Sequence, residues 1–174
     1  MKQNGSRCLL SVDGTDFRIN EPTPFSSEWC SHKFKCAALR YEVSLVIQTG
    51  EIASINGPFA AGKYQDLTIF RSWLKKHLLP GERVEADAVY RDERCHCPFD
   101  FCFNEEQYRA KFTVRARHET VNKRFKQFGI LNQRFRHPKE KHGEVLMSIA
   151  VITQISIRNG YPLFPVQYRT YNGT

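Results

Sequence analysis

Three acidic residues occupy positions from which side chains of different elements can meet. Asp13 follows one short apolar run, Asp87 follows another, and Glu119 is the one acid in the basic stretch 115–128. Carboxylates that converge repel one another, so a site that holds three of them needs a cation. Hard oxygen ligands suit Mg²⁺ or Mn²⁺. Two such ions can activate a water molecule and stabilise the leaving oxygen at a phosphodiester.

The stretch 115–128 predicts a helix with two different faces when it is plotted at about 100° per residue. The charged face carries one acid among several bases and comprises Arg115, Glu119, Lys123 and Lys126. The apolar face lies roughly opposite and comprises Val121, Phe125 and Phe128. A solvated helix usually mixes several acids with its bases. We therefore expect the apolar face to pack on a sheet and to bring Glu119 towards Asp13 and Asp87.

The elements that must position the aspartates follow from alternation and turn residues. A short buried strand is predicted before Asp13, which would begin a turn that runs to Asp16. The predicted strands are Cys8–Val12, Tyr41–Ile47, Ile52–Gly57 and Glu82–Asp87. The predicted flanking helices are Asp66–Leu79 and Glu144–Arg158, the latter with Val145, Ile149, Ile152, Ile155 and Ser156 on its buried side. This order predicts a mixed α/β sheet with three antiparallel strands and flanking helices in a single domain.

The positive charge is concentrated in one segment. The whole chain has 26 Lys and Arg against 18 Asp and Glu, a net of +8. Residues 109–142 hold 11 of the bases and two of the acids, a net of +9, so the remaining 15 bases and 16 acids sum to −1. Such a field favours a polyanion, most commonly nucleic acid, and a solvated basic surface is the alternative. With no apolar run near about 20 residues and no signal-peptide core, we expect an intracellular protein without a membrane partner.

A cysteine-rich stretch lies between the second aspartate and the basic helix. Residues 91–108 are predicted to form an irregular insertion whose possible ligands are Cys95, His96, Cys97 and Cys102. Three thiols and an imidazole can bind zinc, but the second ligand pair of a standard site is missing. We therefore expect free thiols, and a zinc-stabilised binding module is the less favoured alternative. The acids of this stretch are predicted to be ordinary loop charges, namely Asp92, Asp100, Glu105 and Glu106.

Several short motifs follow one another along about residues 9–168. In chain order they are Val12-Asp13-Gly14-Thr15, Gly57-Pro58-Phe59, Gly62-Lys63-Tyr64-Gln65-Asp66, Asp87-Ala88-Val89-Tyr90 and Ala116-Arg117-His118-Glu119. The basic helix also carries Phe112-x2-Arg115-x3-Glu119-x6-Lys126. Together these motifs resemble the DDE-superfamily endonuclease domain of Harbinger-type transposases. The helix pattern is similar to the Y-x2-R-x3-E-x6-K signature of bacterial insertion-sequence transposases, with Phe in place of Tyr.

The resemblance implies an RNase H-like fold and a metal-dependent DNA endonuclease and strand-transfer activity in the nucleus. It implies that Asp13, Asp87 and Glu119 bind two Mg²⁺ or Mn²⁺ ions, with the first acid on the first strand, the second after the fourth strand and the third on a later helix. The surrounding cations would contact DNA phosphates, and they are Arg115, Arg117, Lys123 and Lys126.

Some assignments stay open within this resemblance. Asp66 is interpreted first as an N-terminal helix residue and second as an additional metal ligand, and Asn122 marks an alternative position for the third acid. Asp16 is predicted to be a turn or supporting residue. Val89 stands where the family has Gly, and the helical DNA-binding segment that the family leads one to expect upstream is not seen. Targeting is therefore expected from a separate partner protein, and the alternative is an inactive, domesticated transposase fragment that binds nucleic acid or protein.

Overall fold

A five-stranded mixed sheet forms the centre of the computed structural model, which describes residues 7–97 and 104–168. The strands are β1 Arg7–Arg18, β2 Ala38–Val46, β3 Ile52–Ala60, β4 Glu82–Glu85 and β5 Cys95–His96. Their spatial order is β3-β2-β1-β4-β5. β1 and β3 pair antiparallel to β2, whereas β4 pairs parallel to β1 and β5 pairs parallel to β4.

Helices cover both faces of this sheet. They are α1 Asp66–Ser72, α2 Leu74–His77, α3 Glu105–Lys126, α4 Gly129–Asn132 and α5 His142–Arg158, with short 3-10 helices at Ser27–Trp29 and Lys139–Lys141. Alternate residues of a strand face opposite sides of a sheet, and two separate apolar clusters follow that alternation. Phe17 of β1 packs with Val121 and Phe125 of α3, whereas Val12 packs with Phe70 of α1. The prediction of a mixed α/β sheet flanked by helices is confirmed.

The first strand is longer than the sequence predicts. Cys8–Val12 was expected to end in a turn at Asp13, but β1 continues to Arg18. The reason is long-range pairing, because Asp13 to Arg18 bond along β2 from Val43 back to Ala38. β4 stops at Glu85, opposite Ser11. Asp13 therefore lies inside a strand, at the point where β1 runs past the end of its parallel neighbour.

Three further boundaries differ from their predictions. The helix expected over Asp66–Leu79 is divided at Trp73, whose φ of −135° and ψ of −70° are not helical. β3 continues through Pro58 to Ala60. The stretch 91–108 is not wholly irregular, because Cys95–His96 forms β5 on β4 and α3 already begins at Glu105. Cys102 and Asp100 lie outside the described residues.

The last helix buries a different stripe from the predicted one. Ile149 is buried and Val145 packs at the edge of the core, as predicted. Ile152 and Ile155, however, are 51% and 54% exposed. The inward stripe instead comprises His142, Leu146, Ile149, Ala150, Thr153 and Ile157. The tail that follows is irregular over residues 161–168, and Leu163 anchors it in the core. Among the described helices, none is long and apolar enough to cross a membrane.

Candidate functional site

The parallel pairing of β1 and β4 places the two aspartates next to each other. Ser11 and Glu85 are registered partners, and Asp13 and Asp87 follow each of them by two residues. Because side chains repeat their direction every second residue in a strand, Asp13 faces the same side as Ser11. That side is covered by α3, since the His118 imidazole lies 2.9 Å from the Ser11 hydroxyl. Because β4 ends before it would pass Asp13, α3 can reach Asp13 beside the end of that strand.

Glu119 follows His118 on α3, and buried side chains fix this part of the helix. Val121 and Phe125 are buried in the core, as the predicted apolar face requires, while Glu119 is exposed. Burial, together with the nearby Arg115 charge, lowers the pKa of His118 to about 3. His118 is therefore neutral at neutral pH, and its contact with Ser11 anchors α3 on β1 without adding a charge beside the acids.

Four carboxylates influence one another at this edge of the sheet. Burial raises the pKa of Asp13 to about 6, although the Gly14 amide donates a 2.8 Å hydrogen bond to its Oδ1. Asp66, Glu119 and Asp87 each contribute further to the rise through their negative charges. The acids come from β1, α1, α3 and the loop after β4. The structure therefore brings the three predicted acids into electrostatic contact and adds Asp66 to them.

Asp66 reaches the site from the opposite face of the sheet. A Cβ atom on Gly14 would lie only 2.2 Å from the Asp66 Oδ1 atom, so the carboxylate rests directly on the Gly14 backbone. Burial raises the pKa of Asp66, and the Arg40 guanidinium, 3.4 Å from Oδ1, opposes that rise. Asp66 is the first residue of α1, as predicted. Its position beside Gly14 also makes it available to a cation bound at Asp13.

Arginine side chains contact two of the acids. Arg115 lies 2.9 Å from the Asp87 Oδ1 atom, which also accepts a hydrogen bond from the Ala88 amide. Arg40 donates two hydrogen bonds to Asp16, at 2.7 and 3.0 Å, and so remains directed towards Asp66. Asp16 is buried inside β1 and is not a turn residue, but its predicted supporting role agrees with these contacts.

The four acids do not form a closed coordination shell. In the part of the chain that the structure describes, one group has three ligand atoms all within 4.8 Å of one another, and it consists of Cys8, Glu85 and His96. Two of the acids are instead paired with arginines, whose charges favour the ionised carboxylates. The Asp87–Arg115 and Asp66–Arg40 contacts are of this kind. Rotation of the carboxylates towards one another would be required to bind an ion.

The predicted DNA-contacting cations have different environments. Lys123 is exposed, Arg115 is half-buried on Asp87, and the Lys126 ammonium lies 5.6 Å from the Phe34 ring centroid. Burial lowers the pKa of Lys126. Arg117 disagrees with its prediction, because its guanidinium is buried and donates hydrogen bonds to the carbonyl oxygens of Ile47 and Phe164. Arg117 therefore attaches the C-terminal arm to the sheet and is not positioned to contact DNA.

Two buried polar residues beside the site escaped sequence analysis. Glu42 is registered with Gly14 and shares its α1-covered face, where neither carboxylate oxygen has a hydrogen-bond partner. Burial, and then the charge of Asp66, raise the pKa of Glu42 to about 8. The Tyr90 hydroxyl is also buried and unpartnered. The alternation of apolar and polar residues in β2 predicts that Glu42 faces away from the main core. It does not predict that α1 covers that face.

The other predicted positions can be assigned from these contacts. The charge of Glu119 contributes to the raised pKa of Asp13. Asp92 is not an ordinary loop charge, because its buried carboxylate binds Arg71 and Lys75. Cys97 is directed at the carbonyl oxygens of Asp87 and Tyr90. Comparisons of the chain with protein-family models, curated proteins and solved structures find no match.

Proposed function

We propose that this chain is a divalent-metal-dependent endonuclease and strand-transfer domain of the transposase type that acts on DNA. The observation that carries the proposal is the convergence of Asp13, Asp87, Glu119 and Asp66 from four elements onto one edge of the sheet. The strand order β3-β2-β1-β4-β5 supports the RNase H-like arrangement. The concentration of positive charge in residues 109–142 supports a nucleic-acid substrate.

The donor set fits the ions that the proposal requires. Carboxylate oxygens are the ligands that Mg²⁺ and Mn²⁺ prefer, and the Asp66 Oδ1 atom is buried without a hydrogen-bond partner. Asp13, Asp87 and Glu119 would hold the ions, with Asp66 as an additional ligand. When bound, the ions would activate a water molecule and stabilise the leaving oxygen at the phosphodiester.

The protein's own residues have separate tasks in this proposal. Asp13 has a pKa of about 6, so a bound cation would favour its ionised form and offset the repulsion of its neighbours. Arg115 would leave Asp87 for a phosphate oxygen, because a guanidinium binds phosphate as well as carboxylate. Lys123 and Lys126 extend the cationic surface along α3, one turn apart. A nuclear location and a separate DNA-targeting partner belong to the same proposal.

Nicking of supercoiled DNA tests the enzymatic activity. The protein is incubated with DNA and Mg²⁺ or Mn²⁺ beside the Asp13→Asn and Glu119→Gln variants. Glu140→Gln, an exposed acid in the same basic segment, is the matched control and should keep full activity. We expect metal-dependent nicking by the wild type and the control, and at least about a 100-fold loss in the two site variants. Absence of both nicking and metal-induced stabilisation in the wild type would refute the proposal.

A binding module without catalysis is the second candidate. The observation that favours it is that Arg115 and Arg40 form ion pairs with Asp87 and Asp66. A module of this kind would bind nucleic acid through its basic surface in the presence of a chelator, and Asp13→Asn would leave that binding unchanged. Filter binding in a chelator and in Mg²⁺, read together with the nicking assay, separates the two functions.

A further inference from the structure

We propose that Cys8, Glu85 and His96 form a zinc site that is separate from the carboxylate site. The three side chains come from the neighbouring strands β1, β4 and β5, and Glu85 and His96 are registered partners. The Cys8 sulfur lies 3.2 Å from the His96 Nδ1 atom, which lies 3.6 Å from a Glu85 oxygen. All three ligand atoms lie within 4.8 Å of one another. The proposal does not depend on nuclease activity.

The spacing agrees with a tetrahedral zinc ion. With Zn–S of about 2.3 Å and Zn–N and Zn–O of about 2.1 Å, tetrahedral angles place sulfur and nitrogen about 3.6 Å apart and nitrogen and oxygen about 3.4 Å apart. The two measured separations, 3.2 and 3.6 Å, require shifts of only tenths of an ångström. Thiolate, imidazole and carboxylate are also the donors that zinc selects, whereas Mg²⁺ prefers an all-oxygen shell.

Burial and an unpartnered atom both point to a missing ligand. Cys8, Glu85 and His96 are all buried, and Glu85 is fully inaccessible. Its Oε2 atom has no hydrogen-bond partner. Its Oε1 atom accepts a hydrogen bond from the Tyr168 hydroxyl. Oε1 is also the oxygen that lies 3.6 Å from His96 Nδ1, so the ion would bind through Oε1. A carboxylate that binds through both oxygens would satisfy Oε2 as well, which is costly to leave buried without a partner.

Two cations contact these ligands and would compete with zinc for them. Lys111 Nζ lies 3.7 Å from a Glu85 oxygen, and Arg83 Nη1 lies 3.1 Å from His96 Nε2. A guanidinium can only donate, so Nε2 accepts and the imidazole proton resides on Nδ1. On binding, the Cys8 thiol releases its proton to solvent, the imidazole proton moves to Nε2, and Arg83 turns away. Removing the Arg83 charge should therefore strengthen zinc binding.

The location gives the site a structural task. β5 has only two residues and pairs with β4 at only two registered positions. A zinc ion held by β1, β4 and β5 would fasten this weak edge of the sheet. Glu85 precedes Asp87 by two residues and Lys111 precedes Arg115 by one helical turn. The zinc site would thus neighbour the carboxylate site along both β4 and α3, and the bound ion would fix the end of β4.

Metal titration tests the site on the full chain. The protein, stripped with a chelator, is titrated with Zn²⁺ against a chromogenic chelator and with Co²⁺, whose thiolate charge-transfer band reports a sulfur ligand. We expect one ion per chain that gives a thiolate band, and a Tm that Zn²⁺ raises in both the wild type and Asp13→Asn, whereas Mg²⁺ raises it through the carboxylate site of the wild type only. Cys8→Ser and His96→Gln should abolish the band. Arg83→Met should tighten Zn²⁺ binding about tenfold, because a competing charge-assisted hydrogen bond is lost.

The matched control is Cys95→Ser. Cys95 is buried on β5 next to His96 but packs in the cluster on the opposite face with Val84 and Tyr90, so this variant should retain the band. Loss of the band in Cys95→Ser, or its retention in Cys8→Ser, would place the ion elsewhere and overturn the proposal. If the site variants fail to fold, an Arg83→Met protein that binds Zn²⁺ no more tightly than the wild type also overturns it.

Discussion

Replacing Asp13 by Asn should stabilise the protein at neutral pH and abolish Mg²⁺ binding at the carboxylate site. The pKa of Asp13 rises from its ordinary 3.8 to about 6 because of burial and three neighbouring acids. The extra stability of the protonated form is complete below about pH 3.8 and is lost as the pH rises through about 6. Asparagine is neutral at every pH and its Oδ1 can still accept from the Gly14 amide, so it should retain that stability.

The magnitude follows from the pKa difference. Each pKa unit corresponds to about 1.4 kcal/mol, so an ionised Asp13 costs about 3 kcal/mol of unfolding free energy above about pH 7. Urea denaturation of the wild type and Asp13→Asn should therefore differ by about 3 kcal/mol near pH 8 and by about half as much near pH 5. Mg²⁺ should raise the stability of the wild type only.

Replacement of a second buried acid, Asp92, should change the stability in the opposite direction. Asp92 is also buried, which raises its pKa, but hydrogen bonds from Arg71 and Lys75 lower it to about 2. Asp92→Asn should destabilise the protein near pH 8, where the wild-type carboxylate is ionised and paired. If Asp13→Asn changes stability equally at both pH values, or destabilises the protein as Asp92→Asn does, the convergence of acids around Asp13 is refuted.

Further substitutions test single features of the site. Gly14→Ala should cost about 1–3 kcal/mol by pushing Asp66 aside, and Asp66→Ala in the same chain should restore the stability in urea denaturation. Glu42→Gln should raise the Tm relative to the wild type most strongly near pH 9, less near pH 6 and not near pH 4, because the stability of protonated Glu42 is complete below about pH 4.5 and is lost as the pH rises through about 8. Arg117→Met should lower the unfolding free energy by about 3 kcal/mol or more, whereas Lys123→Ala should weaken DNA binding in a filter assay without that loss.

The spacing of apolar residues was sufficient to predict the buried face of an element where those residues lie on one side only. Val121 and Phe125 repeat at helical spacing, and the structure buries them as the spacing predicts. The alternation from Tyr41 to Leu45 likewise predicted β2 and its core side. On α5, apolar residues occur all around the helix, so periodicity alone could not select the buried stripe. Ile152 and Ile155 were assigned inward for that reason and are exposed.

Long-range contacts decided what the sequence could not predict. Asp13 and Gly14 have low strand propensity, but pairing with Val43 and Glu42 of β2 keeps them in β1. Arg117 looks like a DNA-contacting cation until the Phe164 carbonyl, 47 residues later, is placed beside it. β5 exists only because β4 offers a free edge to two residues. The residues that make these contacts are too far apart in the sequence for the pattern of a single helix or strand to predict them.

The missing side chain of Gly14 explains how acids from both faces can act on Asp13. Successive strand residues face opposite sides, so α3 brings Glu119 to the side of Asp13 while Asp66 approaches from the side of Gly14. Any side chain at Gly14 would occupy the place of the Asp66 carboxylate, since even a Cβ atom would come within 2.2 Å of it. Because β4 ends at Glu85, Asp87 lies in the loop that follows and can approach Asp13 from the side of β4. The proposed metal site therefore requires a glycine inside β1 as much as it requires the acids.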